Sequence, residues 1–389
     1  MRTSKSLKNA GFTLVELMIA MGITVVILYA AVQAFRDASQ TNQLVTSTAD
    51  MTDNLRAGLN LMEQDIQQTG TGIPVGGIPI PYTSNNSSSA PCGTTPAINR
   101  PVLGGKSTFP LCNSTLPAIE PGQAMGPLIT APDATAGNPS NPNSFTDEIT
   151  ILYADNSASL DVKPINKPAT AGPPSDPGCP AGQLKLTGNT LTVTFDASCV
   201  NLTTAGIQIQ PGDLIMFTNT NGSALLAVTS IAGQVLPFAP GDAFLLNGRT
   251  EAGGTINYLE TSSACGGAPA CFPPTLATRI WMVSYYLDNV SSPPFVRLVR
   301  QVNFNAPTPV GETLENMQFT YNYVDGATNP SNQPGVPTGN NESQIRSVNV
   351  YLGARSGYIT HQGDKSLYAR NNLVTQISLR SMAYLNRYN

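Results

Sequence analysis

The sequence predicts an α+β protein in which one long amino-terminal helix packs on an antiparallel β-sheet that carries long loop-rich insertions. Two observations favour this fold. Residues 12–69 contain no proline and join an apolar run to a stripe of apolar residues at helical spacing. Residues 279–389 contain five segments rich in β-branched and aromatic residues, which is typical of strands.

The composition excludes several functional classes. Only 11% of the residues are charged and the net charge is −4, so the chain lacks the overall basic surface of a general nucleic-acid binder. His361 is the single histidine, which excludes a multi-histidine metal site. The chain has 34 glycines and 32 prolines, which predicts many loops, and its 41% hydrophobic residues suffice for a core.

The first half of the predicted helix, residues 12–35, has the length and composition of a membrane span. The 19 residues from Leu17 to Phe35 carry no charge, and at helical rise they come close to the ~30 Å of bilayer hydrocarbon. Three basic residues precede this run. The sequence therefore predicts a single pass with a cytoplasmic amino terminus and a periplasmic body.

A carboxylate, Glu16, lies inside the apolar block, where an unpaired charge is costly and needs a partner. The small residues Ala10 and Gly11 precede the run, whereas an ordinary secretory signal has its cleavage site after it. Residues 11–17, with the sequence GFTLVEL, resemble the prepilin processing motif of type IV pilins and type II secretion pseudopilins.

The resemblance implies how the amino terminus is processed and used. Residues 1–11 would be a leader that the prepilin peptidase of the inner membrane removes after Gly11, and the new amino terminus at Phe12 would be N-methylated. Glu16 would pair with the terminal amine of a neighbouring subunit during filament assembly. A carboxylate and an ammonium that meet in a low dielectric satisfy each other, so this pair favours one register between stacked helices.

The second half of the helix, residues 36–69, is predicted to be amphipathic and to end at Gly70 and Gly72. Its apolar residues recur at steps of three or four: Leu44, Thr48, Met51, Leu55, Leu59, Met62 and Ile66. This spacing predicts one buried stripe that continues the membrane half into the body.

The middle of the chain divides into two predicted parts. Residues 70–146 are rich in Pro, Gly, Ser and Asn and lack sustained periodicity, which predicts a long loop region. Residues 147–278 are predicted to be a β-rich insertion, with a first strand at 148–154, alternation of Leu and Val with Thr at 190–195, and apolar runs at 214–218 and 225–231.

The five strand-like segments of residues 279–389 are predicted to form one sheet on the outer half of the helix. Residues 280–283 are apolar on both faces, as expected for a strand covered by a helix on one side, whereas Met317, Phe319, Tyr321 and Tyr323 share one face. The order of these segments is similar to the carboxyl-terminal pattern of minor pilins of the PilW type.

The six cysteines all follow the membrane segment, which places them in an oxidising compartment and makes disulfides the default. Proximity in sequence suggests three pairs: Cys92 with Cys112, Cys179 with Cys199, and Cys265 with Cys271. The close CxxC pairs of a zinc site are absent.

The remaining chemical candidates are weak. His361 near Asp364 lacks an identifiable nucleophile, and Asp147, Glu148 and Asp325 lack the alternating oxygen spacing of a calcium loop. Arginine and lysine outnumber acids in the last 111 residues by three, which is either a DNA-facing patch or a solvated sheet face. No cofactor and no metal are predicted.

Together these observations predict a minor pilin of the type IV pilus system rather than an enzyme, assembled with other major and minor pilins through its helix at or near the filament tip and then exposed at the cell surface. The alternatives are a type II secretion pseudopilin, a pilus-tip adhesin or DNA receptor that uses residues 70–280, and a membrane-anchored enzyme that uses His361. Nucleic acid is not an expected partner for the main function.

Overall fold

A computed structural model of the chain describes residues 13–81, 98–100, 109–111, 114–127, 145–155, 157, 160, 165, 182–195, 197, 200–202, 207–250, 253–261, 267–268, 271–288, 296–329, 339–359 and 368–385. The long helix is α1 (Leu14–Gln68), and a short helix, α2 (Arg380–Leu385), lies near the carboxyl terminus. The strands are β1 (Ile78–Pro79), β2 (Ile98–Arg100), β3 (Phe109–Leu111), β4 (Thr115–Leu116), β5 (Ile119–Pro127), β6 (Phe145–Ala154), β7 (Gln183–Thr187), β8 (Thr190–Thr194), β9 (Leu214–Asn219), β10 (Gly222–Ala227), β11 (Val235–Phe238), β12 (Leu276–Asp288), β13 (Arg297–Val302), β14 (Thr308–Glu312), β15 (Leu314–Tyr323), β16 (Thr328–Asn329), β17 (Ile345–Ile359) and β18 (Tyr368–Ser378).

The helix begins at Leu14, two residues after the predicted start at residue 12, and it ends next to the predicted glycine stop. Thr13 caps its amino end, and Gly70 and Gly72 follow its last turn with left-handed φ angles of 79° and 70°. The chain then meets β6, since the Gly70 amide donates to the Leu152 carbonyl at 2.9 Å. The predicted fold class, a long amino-terminal helix followed by antiparallel sheets, is confirmed.

Antiparallel strands form the body around two main sheets. The first contains β5, β6, β9, β10, β12, β13 and β14, and its longest strand, β12, pairs with β6, β9 and β13. The second has the order β16-β15-β17-β18. The main hydrophobic core lies between α1 and these sheets, and Gly58 lets the helix approach closely, because a Cβ there would lie 2.8 Å from Cδ2 of Leu298.

A second core lies on the opposite side of β9 and β10. The small sheet of β7, β8 and β11 packs there, and Phe217 meets Phe238 edge to face with ring centroids 5.3 Å apart. The predicted Leu/Val and Thr alternation is seen in β8, where Leu191 and Val193 are buried. The strand predicted at the apolar run 225–231 is observed as β10, which begins at Gly222 and ends at Ala227.

Two predictions about the sheets are wrong. Residues 70–146 are not loop throughout: β5 pairs with β6 in the first sheet despite Pro121, which an outer strand tolerates. The carboxyl-terminal segments form two sheets rather than one. Thr313 has a left-handed φ of 61° between β14 and β15, and this turn moves the chain from one sheet to the other.

The last strand of the second sheet is followed by a short helix. It ends at Ser378, and α2 follows, with Met382 buried against Gly70. Residues 282–287 of β12 are buried on both faces, whereas Trp281 is half-buried. The shared face predicted for Met317, Phe319, Tyr321 and Tyr323 is seen on β15, where all four are buried.

Candidate assembly helix and its attachment to the body

The amino end of α1 is closed by a reciprocal cap. The Glu16 amide donates to the Thr13 hydroxyl oxygen at 3.3 Å, and the backbone amide and hydroxyl of Thr13 both donate to Oε2 of Glu16 at 3.0 Å. The carboxylate that the sequence analysis assigns to assembly is exposed and lies at the very start of the helix. Gly11 and Phe12, the predicted cleavage and methylation residues, lie outside the described residues.

The first half of α1 packs on no other described part of the chain. Leu14 is 75% exposed and Phe35 is 76% exposed, and the first buried side chain of the helix is Ser47. The segment is long and apolar enough to cross a membrane by length and composition. This exposed apolar half anchors the protein in a membrane.

The second half of α1 is held by the body. Met51, Leu55, Met62 and Ile66 are buried in the main core, as the apolar stripe predicts. At the start of this contact, the Gly357 amide of β17 donates to the Ser47 hydroxyl at 3.1 Å. Beyond its end, the Thr71 and Ser381 hydroxyls lie 3.0 Å apart.

A buried carboxylate on α1, Asp65, links the helix to the first sheet. Its Oδ1 accepts from the Tyr153 hydroxyl at 3.0 Å, and its Oδ2 accepts from the Tyr285 hydroxyl at 2.5 Å. Arg300 forms a forked ion pair with it, with Nε 2.7 Å from Oδ2 and Nη2 3.2 Å from Oδ1. Three neighbouring strands, β6, β12 and β13, therefore meet one helix residue.

The electrostatics of this cluster follow from its burial. Burial raises the pKa of Tyr153 and of Tyr285 above the usual range, and the Asp65 charge raises both further. Burial alone would lower the pKa of Arg300, but the hydrogen bonds and charge of Asp65 raise it instead. The cluster thus favours a charged pair flanked by neutral phenols.

The sequence analysis missed Asp65, although a signal was present. Asp65 lies between Met62 and Ile66 on the apolar stripe, so a helical projection places a carboxylate on the buried face. Like Glu16, Asp65 is a charge among apolar residues and therefore needs a partner.

The predicted disulfides can be followed at one position. Cys271, the one cysteine among the described residues, is buried and disulfide-bonded. Cys92, Cys112, Cys179, Cys199 and Cys265 lie outside the described residues, so the three pairings stay predictions. His361 also lies outside them.

The acidic residues weighed as calcium ligands act within the fold. Asp147 is buried, and its Oδ2 accepts from the Phe319 amide at 2.8 Å, which ties the two sheets together. Asp325 accepts from the Ala327 amide and the Asn340 side chain, both at 2.9 Å, and these bonds lower its pKa. Among the described residues no group of three potential metal ligands occurs.

Several of the carboxyl-terminal arginines weighed as a DNA-facing patch are paired with carboxylates. Arg279 is buried and forms an ion pair with Asp155, and its Nη1 lies 3.6 Å from Asp213. Burial raises the pKa of Asp213, whereas hydrogen bonds from Ser157 and Arg279 outweigh burial at Asp155 and lower its pKa. Two further pairs join Arg297 to Asp288 at 3.0 Å and Arg370 to Glu315 at 2.7 Å.

Comparison with known proteins supports the amino-terminal assignment. Residues 6–32 match the family described as the prokaryotic N-terminal methylation motif, which confirms the prepilin-type amino terminus. No curated protein matches the chain. A similar solved structure is a type IV-like pilin from Thermus thermophilus, at 12% identity over 45% of this chain and 88% of that chain, with a TM-score of 0.17. A TM-score this low gives no support for a shared arrangement of the body.

Proposed function

We propose that this type IV pilin-like protein is a minor pilin of the type IV pilus system, assembled through α1 at or near the filament tip. The observation that carries the proposal is the prepilin-type motif at residues 6–32, which continues into a helix whose first half is apolar and exposed. An exposed apolar helix needs either lipid or other helices around it.

In the proposed sequence of events, the precursor is anchored in the inner membrane with its body in the periplasm. The prepilin peptidase cuts after Gly11, and Phe12 becomes the N-methylated terminus. Glu16 then exchanges its local bonds with Thr13 for the terminal amine of a neighbouring subunit. The helix leaves the lipid and packs among the helices of other pilins.

The size of the body supports a position near the tip. Besides the main core, the body carries a second core on the outer side of β9 and β10. Such a bulky body is hard to repeat in a tightly packed shaft and is easily accommodated at an end. Labelled subunits spaced densely along every filament would contradict this position.

The test is the intact mass and amino-terminal sequence of the protein recovered from membranes, with and without prepilin peptidase. We expect a chain that starts at N-methylated Phe12 when the peptidase is active. A chain that still starts at Met1 in the presence of active peptidase would make this a plain signal-anchored surface protein. Recovery of the cut chain with secretion components rather than pili would favour the pseudopilin.

A further inference from the structure

Strand β18 forms one outer edge of the second sheet. No described strand pairs with its far side, and it runs for 11 residues, whereas the strand at the opposite edge, β16, has two. Outer strands usually carry proline, lysine or a bulge that prevents further pairing. Residues 368–378 contain neither proline nor lysine, and Val374 is 69% exposed. The one register irregularity against β17 lies between the pairs of Tyr368 and Arg370, before the part of the strand around Val374.

The hydrogen bonds show which backbone groups point outward from this edge. Arg355 pairs with Arg370, and the Arg355 amide donates to Thr313, away from β18. Paired residues of antiparallel strands exchange both bonds or neither, so the amide and carbonyl of Arg370 also point away from β17. Because this direction alternates along a strand, the outward groups are those of 372, 374, 376 and 378.

A second observation agrees with this assignment. The Asn372 amide donates to the Oδ1 of the neighbouring Asn371 at 2.9 Å, so its partner is a side chain and not β17. Asn371 thereby caps one end of the outward-facing row. The amides and carbonyls of Val374, Gln376 and Ser378 are left as the part of the edge that accepts a strand.

The geometry points to a strand of a neighbouring pilin-like subunit as the occupant of this edge. A row of alternating amides and carbonyls is complementary to an extended backbone. The one charge in the strand, Arg370, is balanced by Glu315, so an uncharged segment fits. This inference rests on the proposed function, because assembly is what brings a neighbouring body alongside.

The direction of β18 excludes its own copy as the partner in an antiparallel pair. The strand starts beside the end of β17 at the level of Ser47 and leads to Ser381 at the level of Thr71, so it runs along α1. Two β18 strands that paired antiparallel would point their α1 helices in opposite directions. A shared membrane keeps the α1 helices parallel, so the neighbour's strand is not a β18 strand that pairs antiparallel.

Amide hydrogen exchange at single-residue resolution tests the proposal on the full chain. The detergent-solubilised monomer is compared with the assembly isolated in mild detergent from cells that make the whole pilus system. We expect exchange at Val374 and Gln376 to slow by about 100-fold on assembly, while Leu373 and Thr375, which bond to β17, are protected in both states. Equal exchange in both states, or protection already in the monomer, would overturn the proposal.

A pair of variants at one position provides the second measurement. Val374→Pro removes an outward amide without removing a bond to β17, and Val374→Thr keeps the backbone edge intact. We expect the proline variant to be recovered in the assembly about tenfold less and the threonine variant to match the wild type. A folded proline variant that assembles normally would contradict the inference. Failure of the wild-type chain to enter any assembly would instead count against the proposed function.

Discussion

Replacement of Asp65 by asparagine removes the charge at the centre of the helix-to-sheet cluster while it preserves the size of the side chain. Each Asp65 oxygen accepts from one tyrosine hydroxyl and one nitrogen of Arg300. The asparagine keeps one acceptor oxygen, but its NH2 group replaces the other and faces two donors. We expect a lower free energy of unfolding for the variant. Buried donors that lose their acceptor form a hydrogen bond neither to the protein nor to water, which destabilises the folded state.

The magnitude follows from the burial of the two charged groups. Breaking a fully buried ion pair from one side costs about 3–5 kcal/mol. The Asp65 side chain is 7% exposed and that of Arg300 is 25% exposed. Water reaches the Arg300 side of the pair, so we expect a loss of about 2–4 kcal/mol in the free energy of unfolding.

Urea unfolding in mild detergent, followed by the fluorescence of Trp281, measures this loss. Trp281 is the single tryptophan and lies on β12, four residues before Tyr285. With a slope of about 3 kcal/mol per molar urea, the midpoint falls by roughly 1 M. Asp53→Asn is the matched control, since Asp53 is exposed on the same helix, and its midpoint should shift by less than ~0.2 M.

Equal midpoints for the Asp65→Asn and Asp53→Asn variants would refute the reasoning. A double variant with Arg300→Gln checks the cause, because removal of both partners should cost less than the sum of the two single changes. An additive double variant would show that the two side chains act separately.

Three further predictions concern assembly, pH and backbone strain. Glu16→Gln should leave membrane insertion unchanged and lower the amount of protein recovered in the assembly by about tenfold or more, as measured by immunoblot. The control Asp37→Asn, at an exposed position on the same helix, should be recovered like the wild type. Equal recovery of the two variants would show that Glu16 has no role in assembly. Burial and then the charges of Asp288 and Glu148 raise the pKa of Tyr286 from 10.0 to about 12. Its contribution to stability is therefore full below pH 10 and is lost between pH 10 and 12. In Tyr286→Phe the free energy of unfolding should fall less steeply over this pH range, and an unchanged pH profile would contradict this. Thr313 is β-branched and has a positive φ, and Thr313→Gly removes the resulting backbone strain. The free energy of unfolding should rise by about 0.5–1 kcal/mol, with a higher urea midpoint. A lower midpoint would count against strain at that turn.

The amino-terminal half of the architecture could be predicted because its signals are local. The run from Leu17 to Phe35, the stripe through Leu55 and Ile66 and the glycines after the helix each act within a few residues. The residue types alone therefore predict which face of the helix is buried and where the helix ends.

The arrangement of the strands could not be predicted, because it depends on contacts between residues far apart in sequence. The split into two sheets turns on the backbone of Thr313, a residue type that rarely adopts a positive φ. β5 contains proline and glycine, which disfavour a strand, and it is a strand only because it pairs with β6. The partners of Asp65 lie 88, 220 and 235 residues away in the chain. The sequence therefore predicts that Asp65 needs a partner but not which residues provide it.

The attachment of α1 along its length determines how the molecule bears tension. A pull on the body away from the membrane acts along the helix axis, parallel to the row of contacts between Ser47 and Thr71. Contacts in this geometry are loaded in shear and share the force, whereas a perpendicular pull would open them one after another. Because Asp65 lies within this row, its hydrogen bonds and ion pair share the load with the apolar contacts and resist slip of the helix through the body.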